Sequence, residues 1–130
     1  MDNNVKFNST LFRPVLPDEC QVNPGRCGAE LAYWLCVELA KAGVVTSYPI
    51  GEDWGWLVEY TTADGDEFRL CCGNVDGSDS GWHCFLKPLG RKLFGGDKAP
   101  IEKAGPLLEG VRQLLEKTEG IEQIEWWREE

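Results

Sequence analysis

Cys27 and His83 are the residues whose types and positions could support nucleophilic catalysis. Cys27 directly precedes a helix-forming segment, GAELAYWLCVELAKA at 28–42. The dipole and free N–H groups at a helix start favour a thiolate there. His83, the one histidine of the sequence, falls in a strand-forming segment and could take the thiol proton. A cysteine at a helix start with a histidine on a neighbouring strand is the layout of papain-like hydrolases. The likeness is one of arrangement alone, because no local signature of that class surrounds either residue and no third, orienting residue can be chosen. A structural cysteine and a surface histidine form the plainer explanation and the preferred one. No catalytic residue is therefore assigned, and Cys27 and His83 stand as candidates.

Other constellations fail on geometry. Cys71, Cys72, His83 and Cys84 hold zinc-ligating atoms, but adjacent strand residues point to opposite faces. Each face then receives two ligands where a structural zinc takes four. The run from Asn74 to Asp79 resembles the start of a calcium loop. It has Asp79 where that loop needs glycine and Phe85 where it needs glutamate. GRKLFGG at 90–96 has the wrong order for a phosphate loop, and no G-x-G-x-x-G is present. It reads as a mobile, basic connection. No metal and no cofactor is expected. The six cysteines follow no regular spacing and are expected to be free thiols, with Cys36, Cys72 and Cys84 acting as small buried hydrophobes.

Charge says more than any motif. Eight acids and one base, Arg69, lie between residues 51 and 80, and the tail from 119 to 130 adds five acids against Arg128. Lys87, Arg91, Lys92 and Lys98 form the one basic cluster. An acidic surface steers a basic partner, although solubility alone also explains it. Glu52 and Asp53 stand next to Trp54 and Trp56, and tryptophan beside charge is a common composition at interface centres. The alternation of 54–62 places Trp54, Trp56, Val58 and Tyr60 on one face. Trp54, at the strand start, is expected to be half-exposed and to contribute with Glu52 and Asp53 to a partner site, while Trp56 supports the core. Trp34 lies outside the leucine stripe of the first helix. It is either a further contact residue or is covered by the N-terminal segment, and the second is favoured.

The elements that must position these residues follow from periodicity. VKFNSTLF at 5–12 alternates as a strand, and Pro14, Pro17, Pro24 and Gly25 then impose a loop. In the first helix Leu31, Ala32, Leu35, Cys36, Leu39 and Ala42 share a stripe, and Gly43 ends it. VVTSY at 44–48, WGWLVEYTT at 54–62, EFRLCC at 67–72 and GWHCFLKP at 81–88 read as strands, with Asp64-Gly65 as a two-residue hairpin turn. Trp82, Cys84 and Leu86 share one face, with His83 and Phe85 on the other. A second helix spans 100–118 with a break near Gly105, forced by Pro106. IEQIEWW at 121–127 forms a last strand, with Trp126 and Trp127 on opposite faces. The fold class is α+β: a mainly antiparallel sheet of four to six strands with two helices packed on one face.

These 130 residues suit a single domain, 1–130, and 42% hydrophobic content is enough for a core. A net charge of −9 argues against nucleic acid as the main partner. The longest apolar stretch, Leu31 to Val37, is too short for a bilayer, so no membrane is expected. MDNNVKFNST has neither a basic start nor an apolar run, so no secretory signal is expected and a cytoplasmic location follows.

GAELAYWLCVELAKAG followed by EDWGW resembles small bacterial proteins of uncharacterised function that carry a GAELA-type helix and then a DWGW strand. The resemblance covers about residues 23 to 73. It implies a stand-alone cytosolic domain and no reaction. Size and charge alone also liken the chain to inhibitors and immunity proteins. Three functions are compatible with the sequence. A non-enzymatic binding protein, of inhibitor or immunity type, would use acidic and aromatic surface (Glu52, Asp53, Trp54, Trp34) against a basic protein partner. A cysteine hydrolase would use Cys27 and His83. A small-molecule binding domain would have an aromatic pocket around Trp54, Trp56 and Trp82. The first is preferred, and self-association as a homodimer is a further option.

Overall fold

A computed structural model describes residues 1–14, 27–89 and 98–129. The Pro-rich stretch after Pro14, Cys20, and the GRKLFGG connection with Arg91 and Lys92 lie outside the described residues. The elements are β1 (Asn4–Asn8), α1 (Ala29–Lys41), β2 (Ile50–Glu52), β3 (Gly55–Thr61), β4 (Glu67–Asn74), β5 (Gly81–Pro88), a 3-10 turn (Ile101–Ala104), α2 (Gly105–Lys117) and β6 (Glu122–Trp127). The strands form one antiparallel sheet in the order β2-β3-β4-β5-β1-β6. The class is α+β. The β3-β4-β5 meander follows the chain, whereas β1 inserts between β5 and β6 and brings the two ends of the described chain together.

Alternation decides which side chains become core. Val5 and Phe7 of β1, Val58 of β3, Phe68, Leu70 and Cys72 of β4, and Trp82, Cys84 and Leu86 of β5 are buried in one cluster. The buried residues of α1 (Leu31, Ala32, Leu35, Cys36, Leu39) and α2 (Leu107, Leu108, Val111, Leu114, Leu115) belong to the same cluster. Trp56, Tyr60, Ile124 and Trp126 pack against it partly buried. Trp82 is the largest fully buried side chain, and its indole N–H donates to the Ser9 carbonyl at 2.9 Å. Phe12 meets Phe7, Trp34 and Trp82 at ring distances of 6.3, 5.1 and 6.2 Å. The segment after β1 thus covers Trp34.

The helix ends follow backbone chemistry. After α1, Val44 N–H donates to the Leu39 carbonyl at 2.8 Å across Gly43, which has φ +88°. This is a glycine-closed helix end. Ala42 lies beyond the helix and is exposed rather than in the stripe. The break at Gly105 places Pro106 in the first turn of α2, where its missing N–H leaves no bond unmade.

Three local expectations are corrected. Residues 44–48 form no strand, and the edge strand is Ile50–Glu52 instead. The hydroxyl of Ser47 accepts from Glu59 N–H at 2.9 Å while its own N–H donates to the Glu59 carbonyl at 2.9 Å. A side-chain oxygen therefore replaces a ladder carbonyl just before Pro49, which has no donor. The first strand ends at Asn8 rather than running to residue 12. The β3-β4 turn is longer than Asp64-Gly65: Thr62 N–H donates to the Asp66 carbonyl at 2.9 Å, enclosing three residues, and Gly65 takes φ +88°.

α1 lies against β3, β4 and α2. Its start approaches β4 closely because Gly28 has no side chain. A Cβ on Gly28 would lie 2.9 Å from the Cys72 carbonyl oxygen, and φ there is +146°. Gly28→Ala should therefore lose about 1–3 kcal/mol in urea unfolding, combining a forced backbone shift with a disfavoured φ. Unchanged stability would contradict this contact.

Candidate functional site

The face of the sheet opposite the core cluster carries the chemistry. Strand register sets out a row across all six strands: Ile50, Leu57, Cys71, Phe85, Asn4 and Trp127 are successive partners. In the next row Gly73 pairs with His83, His83 with Lys6, and Lys6 with Glu125. This face is uneven. Leu57 and Cys71 are almost fully buried, and burial is the main cause that pushes the Cys71 thiol up to about 12. His83, Phe85 and Trp127 are half-buried, and Trp54 is 41% exposed.

The rings of this face form a chain of contacts. Trp54 lies 6.0 Å from Phe85, Phe85 lies 5.2 Å from His83, and His83 stacks on Trp127 at 5.4 Å with 17° between planes. Lys6 Nζ stands 5.7 Å from the Trp127 ring. Trp54 thereby departs from the alternation expected of it. It sits in the β2-β3 turn outside the strand, so the pleat does not fix its direction, and its ring joins the second face rather than that of Trp56 and Val58. Gly55 makes the entry into β3 tight, since a Cβ there would lie 2.7 Å from the Cys72 carbonyl oxygen.

A buried polar network fixes the histidine. Asn3 and Asn4 are 5% and 4% exposed. The Asn3 amide donates to the Glu129 carbonyl at 2.8 Å, and Glu129 N–H donates to Asn3 Oδ1 at 2.8 Å. Asn4 Nδ2 donates to Asn3 Oδ1 at 3.0 Å, which turns Asn4 Oδ1 toward His83 Nε2 at 2.9 Å. In that arrangement Nε2 carries the proton and donates. Burial, then the nearby Lys6 charge, lowers the His83 pKa below the ordinary histidine value, while Glu129 opposes them. No motif announces this network. Asn-Asn ahead of a strand reads as loop chemistry until β1 is seen beside β6.

The sequence-derived candidates fall into separate places. Cys27 packs against the core cluster, and its N–H donates to Asn74 Oδ1 at 3.2 Å. His83 is flanked by the core residues Trp82 and Cys84, so its side chain leaves by the opposite face. The sheet stands between Cys27 and His83 and does not assemble them as a dyad. Trp82 is fully buried, Trp56 packs on the core side and Trp54 on the second face, so these three do not line one pocket. Glu52, Asp53 and Trp54 are exposed together at the β2-β3 turn. Trp34 is on the helix side, under Phe12. Hydrogen bonds at Glu67/Leu89 and Val75/Gly81 set the β4-β5 phase, so Cys72 and Cys84 meet at a non-hydrogen-bonded pair. Their sulfurs lie 3.7 Å apart as free thiols, while Cys71 points the other way. The contact with Cys84, together with burial, raises the Cys72 pKa well above its ordinary value.

At the end of the sheet where β5, β1 and β6 meet the segment after residue 97, a cleft of about 600 Å³ opens. Phe85 and His83 contribute to it from the ring chain. No family model, curated protein or solved structure matches the chain.

His83 gives a pH prediction. Its folded pKa lies below the unfolded value near 6.5, so the neutral form favours folding. Its contribution is complete above that pH and is lost as pH falls from there through the folded pKa. NMR titration of the His83 ring should give a midpoint below about 6.5. A His83→Gln variant should lose less stability than wild type between neutral pH and pH about 5. A midpoint above the ordinary value would contradict a desolvated ring beside Lys6.

Proposed function

We propose that this protein is a non-enzymatic binding protein that engages a partner protein through the aromatic part of its second sheet face, with Glu52 and Asp53 on the rim. The observation that supports it is the unbroken ring contact from Trp54 through Phe85 and His83 to Trp127. Aromatic side chains held rigidly at a partly exposed surface bury large area at little entropic cost, and interface hot spots favour them. Stacking and the Asn4 hydrogen bond fix His83, so little ordering is left to be done on binding. The acids at the β2-β3 turn adjoin Trp54 and suit a partner with basic groups there. A hydrolase is not carried forward, because Cys27 has no histidine on its side of the sheet.

The test is capture from the source lysate on immobilised wild type, Trp54→Ala, Trp127→Ala and Glu52→Lys/Asp53→Lys proteins, followed by association kinetics with the species recovered. A discrete protein held by wild type should be lost from both tryptophan variants. The double charge reversal should slow association about tenfold at low salt and much less at high salt, with the melting temperature unchanged. Equal retention by the folded tryptophan variants would refute the assignment of this face.

A further inference from the structure

We propose that the cleft at the β5-β1-β6 end of the sheet is a binding site for a small aromatic carboxylate. It shares Phe85 and His83 with the ring chain, but it needs no protein partner and stands or falls separately from the interface above. Its volume, about 600 Å³, lies within the range of small-molecule sites. Its surface offers the two halves of such a ligand distinct environments. Phe85 and the His83 ring, with Pro88 and Pro100, provide flat apolar contact for an aromatic ring. Lys87 and Lys98 line the same cleft and are exposed.

Charge complementarity selects the anion. The chain carries −9 overall, so a cleft whose described lining holds Lys87, Lys98 and Arg128 against the single acid Glu129 is a local reversal of sign. Among the described residues neither Lys87 nor Lys98 forms an ion pair, in contrast with Lys41, Lys103 and Arg112. Arg128, which also lines the cleft, is already committed to Glu102 at 3.2 Å and to the Met1 carbonyl at 2.9 Å. Glu129 is the cleft's own acid, and its backbone is clamped by Asn3 through two 2.8 Å bonds. The polar wall is therefore preorganised, while two ammonium groups remain to receive a carboxylate. A charged hydrogen bond to such groups contributes more than a neutral one.

The probes are phenylacetate and its uncharged isostere phenylacetamide, titrated into the purified full chain by calorimetry and by amide chemical shifts. Phenylacetate should saturate with a dissociation constant on the order of 1 mM or tighter, as expected for about ten heavy atoms. Phenylacetamide should bind about tenfold more weakly, and a Lys87→Gln/Lys98→Gln variant should remove that difference. Shifts should concentrate at Asn4, His83, Phe85 and Ala99. The proposal is overturned by lack of saturation at about 10 mM, by equal affinity for acid and amide, or by shifts centred away from the cleft, for example around Arg112 and Trp126. Partner capture can fail without affecting these readouts, and a negative titration leaves the interface assignment standing.

Discussion

The pleat of one continuous antiparallel sheet is the constraint on which the rest of this molecule depends. Each strand sends alternate residues to opposite faces, and the strand registers carry that parity from Ile50 to Trp127, with one shift between β1 and β6 beyond Lys6. Trp82, Cys84 and Leu86 are buried for the same reason that His83 and Phe85 are not. Slipping β5 by one residue would place the imidazole in the hydrocarbon core and the Trp82 indole away from the Ser9 carbonyl. The parity also separates the thiols: Cys72 and Cys84 touch in the core, and Cys71, next in sequence, belongs to the other surface.

Local pattern carries much of this fold in the sequence. The alternation in β3, β4 and β5, the leucine stripes of both helices and the Gly105-Pro106 break each depend on neighbours within a few residues. Pattern tells which residues share a face, but not which strands are adjacent. The insertion of β1 between β5 and β6 pairs residues distant in sequence, such as Asn4 with Phe85 and Trp127, and no spacing encodes it. The Asn3-Asn4-His83 network and the His83-Trp127 stack exist only because of that pairing. Trp54 misled for a different reason. It lies one residue before the strand, where a turn sets direction and the pleat does not.

Polar and apolar terms divide the two faces. On the core side, packing dominates, and the Trp82 indole finds a carbonyl acceptor. On the second face, two buried asparagines satisfy each other, the Glu129 backbone and the histidine, so their desolvation is offset by hydrogen bonds. Charge is spread in the same uneven way. Acids crowd the β2-β3 turn, whereas Lys87 and Lys98 line the cleft beside β5, β1 and β6. The rings from Trp54 to Trp127 thus lie between zones of opposite sign.

The most direct measurement is the set of nuclear Overhauser contacts of the His83 ring, together with its nitrogen-coupled proton pattern at neutral pH. This geometry requires contacts from His83 to Trp127, Phe85 and Asn4, with the proton on Nε2. Contacts from His83 to Leu35, Leu39 or Cys27, or a proton held on Nδ1, would contradict it, because the imidazole would then lie on the core side or outside the asparagine network.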